Sequence, residues 1–139
     1  MIALTPANVA VVGLTSGPAW TYHGRPIPFT RQFDNPTPTD TPNAVIPVER
    51  IAGPVLLSCG GDDQTWTSCS YARAADARLA AHHDRYPHRL LAYPHAGHYS
   101  NGLLPYEPDY WDPQAQVDEA ARISEWPTVL KFLAAMQRA

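Results

Sequence analysis

Two places in this sequence put titratable groups where an acid–base device could be built. Asp62 and Asp63 close the run Pro54-Val55-Leu56-Leu57-Ser58-Cys59-Gly60-Gly61-Asp62-Asp63, and His98 follows the run His88-Arg89-Leu90-Leu91-Ala92-Tyr93 across a short loop. Thirty-four residues separate Asp63 from His98, room for one helix and one strand. In parallel α/β sheets, catalytic groups gather at the carboxyl ends of strands. Two neighbouring parallel strands would therefore bring a carboxylate and an imidazole to one edge. The carboxylate orients the imidazole, and the imidazole takes the proton of a nucleophile. Singly, Gly-Gly-Asp-Asp makes an ordinary turn and a loop histidine is usually a surface residue. Their order and spacing together carry the signal.

Other chemistry is weaker. Gly13-Leu14-Thr15-Ser16-Gly17 has glycines at the spacing of a nucleophile elbow after an apolar run. An elbow needs a helix directly after it, and Pro18-Ala19-Trp20-Thr21-Tyr22 has no helical period, so Thr15 and Ser16 are poor nucleophile candidates. Cys59 falls inside a buried strand and reads as an inert core thiol. Cys69 has no adjacent base to activate it. His82-His83 and the His95/His98 pair lack further ligands at zinc-site spacing, so no metal is expected. Trp20, Tyr22, Trp66 and Trp111 could line an acyl pocket, although aromatics of this kind more often serve packing. No glycine-rich phosphate loop is present, and no cofactor is implied.

The elements that must position these groups follow from periodicity. Residues 1–14 are apolar and β-branched around Val9-Ala10-Val11-Val12, with Pro6 as a break, and predict a strand or buried extended segment. Residues 16–47 form a Pro/Thr/Asn-rich stretch, irregular because its prolines forbid a long helix, with Trp20, Tyr22, Phe29 and Phe33 available to anchor it. The spacing predicts a core of strand, helix, strand and helix over 48–139. Its strands cover 54–59 and 88–93, the latter stopped by Pro94. A helix runs from Ser68 or Ser70 to about His83, and another from Gln114 to Ser124. Pro127 is placed in the first turn of a final helix. That alternation favours a parallel sheet with helical crossovers.

Composition bounds the rest. The 139 residues are 45% hydrophobic and 17% charged, with a net charge of −3, which fits one globular domain and argues against a nucleic-acid footprint. Fifteen prolines are about twice the usual share, so connections are stiff. No stretch approaches the roughly 18 apolar residues of a membrane span, and the first residues lack the basic region of a signal peptide. They read as the end of a strand, as though something upstream were missing. Two cysteines leave one disulfide open but make no disulfide framework, and a reduced, cytoplasmic protein is the simpler expectation.

Several segments carry a resemblance. Ile46-Pro47-Val48-Glu49-Arg50-Ile51, Gly53-Pro54-Val55-Leu56-Leu57, Gly60-Gly61-Asp62-Asp63-Gln64-Thr65-Trp66 and Tyr93-Pro94-His95-Ala96-Gly97-His98-Tyr99 occur in order. That series resembles the C-terminal catalytic domain shared by acyl-CoA thioesterases and bile acid-CoA:amino acid N-acyltransferases, within the α/β-hydrolases. The segment 20–29, Pro105-Tyr106 and Ala115-Gln116-Val117-Asp118 are similar as well, and the likeness is weakest over 34–44. The resemblance implies the C-terminal part of an α/β-hydrolase fold, about three mostly parallel strands with flanking helices. It places the family's acid on Asp63 and its histidine on His98. It implies an acyl-CoA thioester substrate, attacked by a Ser or Cys nucleophile and released to water or an amine. The family's Gly-x-Ser/Cys-x-Gly elbow lies upstream of the matching segment, and oxyanion donors come from elements not represented here. The chain is thus expected to carry the acid and histidine without the nucleophile, and to be inactive alone. An uncovered sheet edge would favour aggregation, a homo-oligomer, or pairing with an N-terminal half on another polypeptide. Two alternatives stand beside this: a non-catalytic remnant or binding module, and a hydrolase of carboxylic esters or peptides.

Overall fold

The computed structural model describes residues 1–13, 16–82, 85–102 and 112–136. Three strands form a parallel sheet in the order β1 (Ile2–Leu4), β4 (Val55–Gly60), β5 (His88–Tyr93). The register pairs Ala3 with Leu57 and Leu57 with Leu90. Every residue of the central strand β4 is buried, as its unbroken apolar run requires of a strand covered on both faces.

Strand periodicity divides β4 between two layers. Val55, Leu57 and Cys59 share one face, where helix α1 (Ser68–His82) packs Ala75 and Leu79 against them, with Val48, Ile51 and Leu90 around the edge. Cys59 is bonded to Cys69 on the first turn of α1. This corrects the expectation of two free thiols. Position 59 points at the helix that returns over its own strand, and position 69 starts that helix. The opposite face carries Ser58, whose hydroxyl donates to Glu125 of helix α2 (Pro113–Met136). Helices on both faces of a parallel strand pair make this an α/β fold.

Another sequence expectation needs correction. Pro127 does not begin a helix but lies inside the single 24-residue α2. An interior proline costs about 3 kcal/mol by removing one backbone bond and crowding the preceding turn. The carbonyl it strands belongs to Ile123, a 53% exposed position where water can serve it. Glu125 and Val129, both buried, continue one packed face across the proline. The first 13 residues, expected as a strand or buried extended segment broken at Pro6, are regular strand only at their start. β1 ends at Leu4, and Thr5 turns the chain with φ 41°. Val9, Val11 and Val12 then pair only through isolated bridges to Val45, Thr30 and Pro18.

Residues 16–47 are irregular apart from a small hairpin, β2 (Thr21–Tyr22) and β3 (Arg25–Pro26), and a 3-10 turn at Pro42–Ala44. Its turn residues His23 and Gly24 both have positive φ, the requirement of a type I′ hairpin turn. Trp20, Tyr22 and Phe33 do not anchor this segment. They are 65%, 71% and 46% exposed. Its attachment to the core is polar instead: Asn8 donates to the Pro36 carbonyl, and the Asp34 carboxylate accepts from the Thr67 amide just ahead of α1.

Candidate active site

Both predicted groups sit where the sheet topology puts them, on the loops leaving β4 and β5. His98 Nδ1 lies 3.1 Å from Asp63 Oδ2 and 3.2 Å from Oδ1. The loops are stitched together by backbone bonds from Gly61 to the Tyr93 carbonyl (2.8 Å) and from Asp62 to the Ala96 carbonyl (3.0 Å). A side chain at Gly60 would drive into the carbonyls of Ala96 and Gly97, and one at Gly61 into that of Pro94. The glycine pair is therefore what lets the histidine loop close onto the strand end.

The two neighbouring aspartates differ in environment. The Asp63 side chain is 1% exposed, and Asp62 is 55% exposed beside the still more exposed His95, 3.6 Å away. Asp63 Oδ1 accepts from the amides of Thr65 (2.9 Å) and Trp66 (3.2 Å). Burial is the largest influence on the Asp63 carboxyl and pushes it up. Hydrogen bonds from His98, Ser68, Thr65 and Trp66 together outweigh that and hold it below the ordinary aspartate value. An ionised carboxylate can only accept, so the His98 Nδ1 carries the proton and Nε2 is the acceptor of the neutral ring. That is the tautomer an imidazole base needs.

Packing fixes the ring. Trp66 stands edge-to-face on His98, centroids 4.7 Å apart, and its indole N–H donates to the Thr5 carbonyl just past β1. This residue was a candidate for an acyl pocket, and it packs on the histidine. Trp20 and Tyr22 project from the exposed hairpin, and Trp111 lies outside the described residues, as do Thr15, His83 and Pro105-Tyr106.

Among the described residues, Ser16 and Gly17 are not followed by a helix. The Gly13 amide bonds the Gly17 carbonyl and Val12 bridges Pro18 antiparallel, so the chain folds back and enters β2 rather than a helix. His82 ends α1, and His95 stands 3.6 Å from Asp62. Among the described residues, no three ligating side chains converge, and no helix is long and apolar enough to cross a membrane.

Sequence reasoning missed the underside of the site. Asp118, Arg122 and Glu125 of α2 are 1%, 5% and 1% exposed. Asp118 accepts from the Gly97 amide and from Gln114 Nε2 (2.9 Å), and Arg122 donates to the Tyr99 carbonyl. Burial pushes the Glu125 carboxyl up, against the Ser58 hydrogen bond and the Arg122 charge. Only the i, i+4, i+7 spacing of the three could have marked a common face.

Comparison with known proteins identifies a family for the sequence. Residues 20–136 match the family model described as BAAT / Acyl-CoA thioester hydrolase C terminal. The peroxisomal succinyl-coenzyme A thioesterase of Mus musculus is 32% identical over 100 residues, covering 64% of this chain and 24% of that protein. Acyl-coenzyme A thioesterase 3 of Mus musculus is 30% identical over 111 residues, 72% of this chain and 26% of that protein. Acyl-coenzyme A amino acid N-acyltransferase 2 of Rattus norvegicus is 31% identical over 123 residues, 80% and 29% respectively. The chain thus spans about a quarter of the length of these relatives.

Proposed function

Because the chain belongs to the BAAT / acyl-CoA thioester hydrolase C-terminal family, of α/β-hydrolase type, we propose that it supplies the acid–base half of an enzyme acting on acyl-CoA thioesters. The observation that carries this is the buried Asp63 carboxylate hydrogen-bonded to His98 Nδ1 across two adjacent strand ends. In this reading His98 Nε2 takes the proton of a Ser or Cys nucleophile as it attacks the thioester carbonyl. The imidazolium, stabilised by Asp63, then returns a proton to the leaving thiolate. Water resolves the acyl-enzyme in a thioesterase and an amine in an N-acyltransferase. Water is the default acceptor.

The nucleophile is proposed to come from outside these residues, on the same or another polypeptide, completing one α/β-hydrolase domain. The cavity beside His98, bordered by Thr65, Tyr99 and Asp118, measures about 170 Å³. Small-molecule sites run to about 300–1,000 Å³, which supports a further segment building the rest of the pocket. Among the described residues β1 has a ladder on one side only, to β4, so its other side can take that segment. A cytoplasmic setting belongs to the same proposal. The Cys59–Cys69 bond weighs against it, since disulfides are rare in the reducing cytosol, and cell fractionation tests it: recovery of the chain in the cytosolic fraction supports the setting, and recovery in an organelle or secreted fraction contradicts it.

The test is a substrate panel. The 139-residue chain alone should leave palmitoyl-CoA intact. Fused behind a segment bearing the Gly-x-Ser/Cys-x-Gly elbow of a related thioesterase, it should hydrolyse palmitoyl-CoA in preference to a carboxylic ester or peptide of similar size. Preference for the ester or peptide would move the substrate class. Turnover by the isolated chain would contradict the external nucleophile.

A further inference from the structure

We propose that Asp118 and Arg122 are positioning residues, a two-point clamp that holds the backbone on both sides of His98 so that its ring meets Asp63. The inference rests on the Asp63–His98 reading above and extends it to helix α2.

The two side chains stand one turn apart on the buried face of α2 and take hold of the two peptides flanking the histidine. The Asp118 carboxylate accepts from the Gly97 amide, immediately before His98. The Arg122 guanidinium donates to the Tyr99 carbonyl, immediately after it. Gln114 ties the same carboxylate to the loop, donating to Asp118 Oδ1 at 2.9 Å and to the His95 carbonyl at 3.1 Å. The fit is close at both ends of the loop. A Cβ at Gly97 would stand 3.1 Å from Gln114 Nε2 and 3.3 Å from Asp118 Oδ2, and one at Gly102 would stand 2.7 Å from Arg122 Cδ. Between them His98–Asn101 makes a single 3-10 turn, closed by the Ser100 hydroxyl on the Gly97 carbonyl at 2.8 Å.

Packing alone does not call for these residue types. The same helix face elsewhere is Ala121, Val129 and Glu125, all buried, the last taken up by the Ser58 hydroxyl on β4. Taking a carboxylate and a guanidinium out of water carries a penalty that apolar residues of similar volume avoid. Charge-assisted hydrogen bonds to backbone groups are strong and directional, so they fix a loop where apolar contact only covers it. The ring is already held by its hydrogen bond to Asp63 and by edge contacts with Trp66 and Tyr99. The clamp sets where the ring's own Cα stands, which neither of those does.

The experiment reads His98 directly in the 139-residue chain by proton NMR with nitrogen-15-labelled histidine. Wild type should show a low-field Nδ1–H resonance outside the amide envelope, assigned by its loss in His98→Gln and in Asp63→Asn. Asp118→Leu and Arg122→Met should lose it while the amide spectrum stays dispersed. Asp118→Asn keeps an acceptor for Gly97 and should retain it. Arg78→Ala, which breaks the ion pair with Glu49 on the other side of the sheet, should retain it too, separating positioning from general loss of stability. Should Asp118→Leu fail to fold, Arg122→Met decides. Folded clamp variants that keep the resonance overturn the clamp and leave the Asp63–His98 pair standing. Loss in Asp118→Asn equal to that in Asp118→Leu contradicts the hydrogen-bond account. A wild type without the resonance, or one that keeps it in Asp63→Asn, removes the underlying reading and the clamp with it.

Discussion

At the scale of single residues the decisive contrast is between Asp62 and Asp63. Neighbours in the chain, they differ in everything a catalytic acid needs: one is wet beside His95, the other is buried, held by two amides and turned onto the His98 ring. In the chain fused behind an elbow-bearing segment, Asp63→Asn should lower kcat by about 10⁴-fold, as when the aspartate of a serine-protease triad is so changed. Asp62→Asn should stay within a few fold. Equal losses, or the reverse order, would reassign the acid. The sequence could place a carboxylate at this strand end because an apolar run that stops at Gly-Gly must leave the sheet there. Which of the two carboxylates turns inward is set by the amides of Thr65 and Trp66, a loop geometry that carries no periodicity. Asp118 and Arg122 were illegible for a related reason: in an Ala-rich helix a charged residue normally marks the wet side.

At the scale of elements, β4 organises the site through its alternation. One parity of its side chains faces α1 and the other α2, and its terminal glycines admit the loop after β5. Gly60→Ala should therefore push the histidine loop outward and destabilise the fold by about 1–3 kcal/mol, as overpacking generally does, visible as a lowered urea midpoint. An unchanged midpoint would mean the loops are not in close contact. The Arg78–Glu49 pair tests the link between α1 and the turn at Val48–Arg50. Arg78 makes two hydrogen bonds to Glu49, chiefly through which the Glu49 carboxyl is held at about 2, below its ordinary 4.5. A depressed carboxylate stabilises above its unfolded value and loses that contribution as pH falls through the folded one. The stability difference between wild type and Arg78→Ala should be constant above pH 4.5 and vanish towards pH 2. Arg78 is 38% exposed, so the plateau should be only about 0.2–1 kcal/mol. A difference that grows on acidification would contradict the pairing. The strands 54–59 and 88–93 and helix α1 were readable because apolar runs and a period of 3.6 survive in them. The break expected at Pro127 failed because packing on either side of the proline outweighs its local cost.

At the scale of the whole molecule, the described residues hold a sheet of three strands with both helices in place, and the Asp63–His98 hydrogen bond beside a cavity of about 170 Å³. The α/β class was legible from the order of elements. The hairpin at residues 21–26 and the Cys59–Cys69 bond were not, since a short exposed turn has no core to signal it and two thiols ten positions apart bond only if a helix returns over its strand. The account as a whole depends on the proposal that His98 is the base for a nucleophile brought by a further segment. The most direct measurement is palmitoyl-CoA hydrolysis by the chain fused behind an elbow-bearing segment, with His98 intact and as His98→Ala. The account predicts turnover in the first and its loss in the second, with the fold unchanged. Turnover that survives His98→Ala would contradict it.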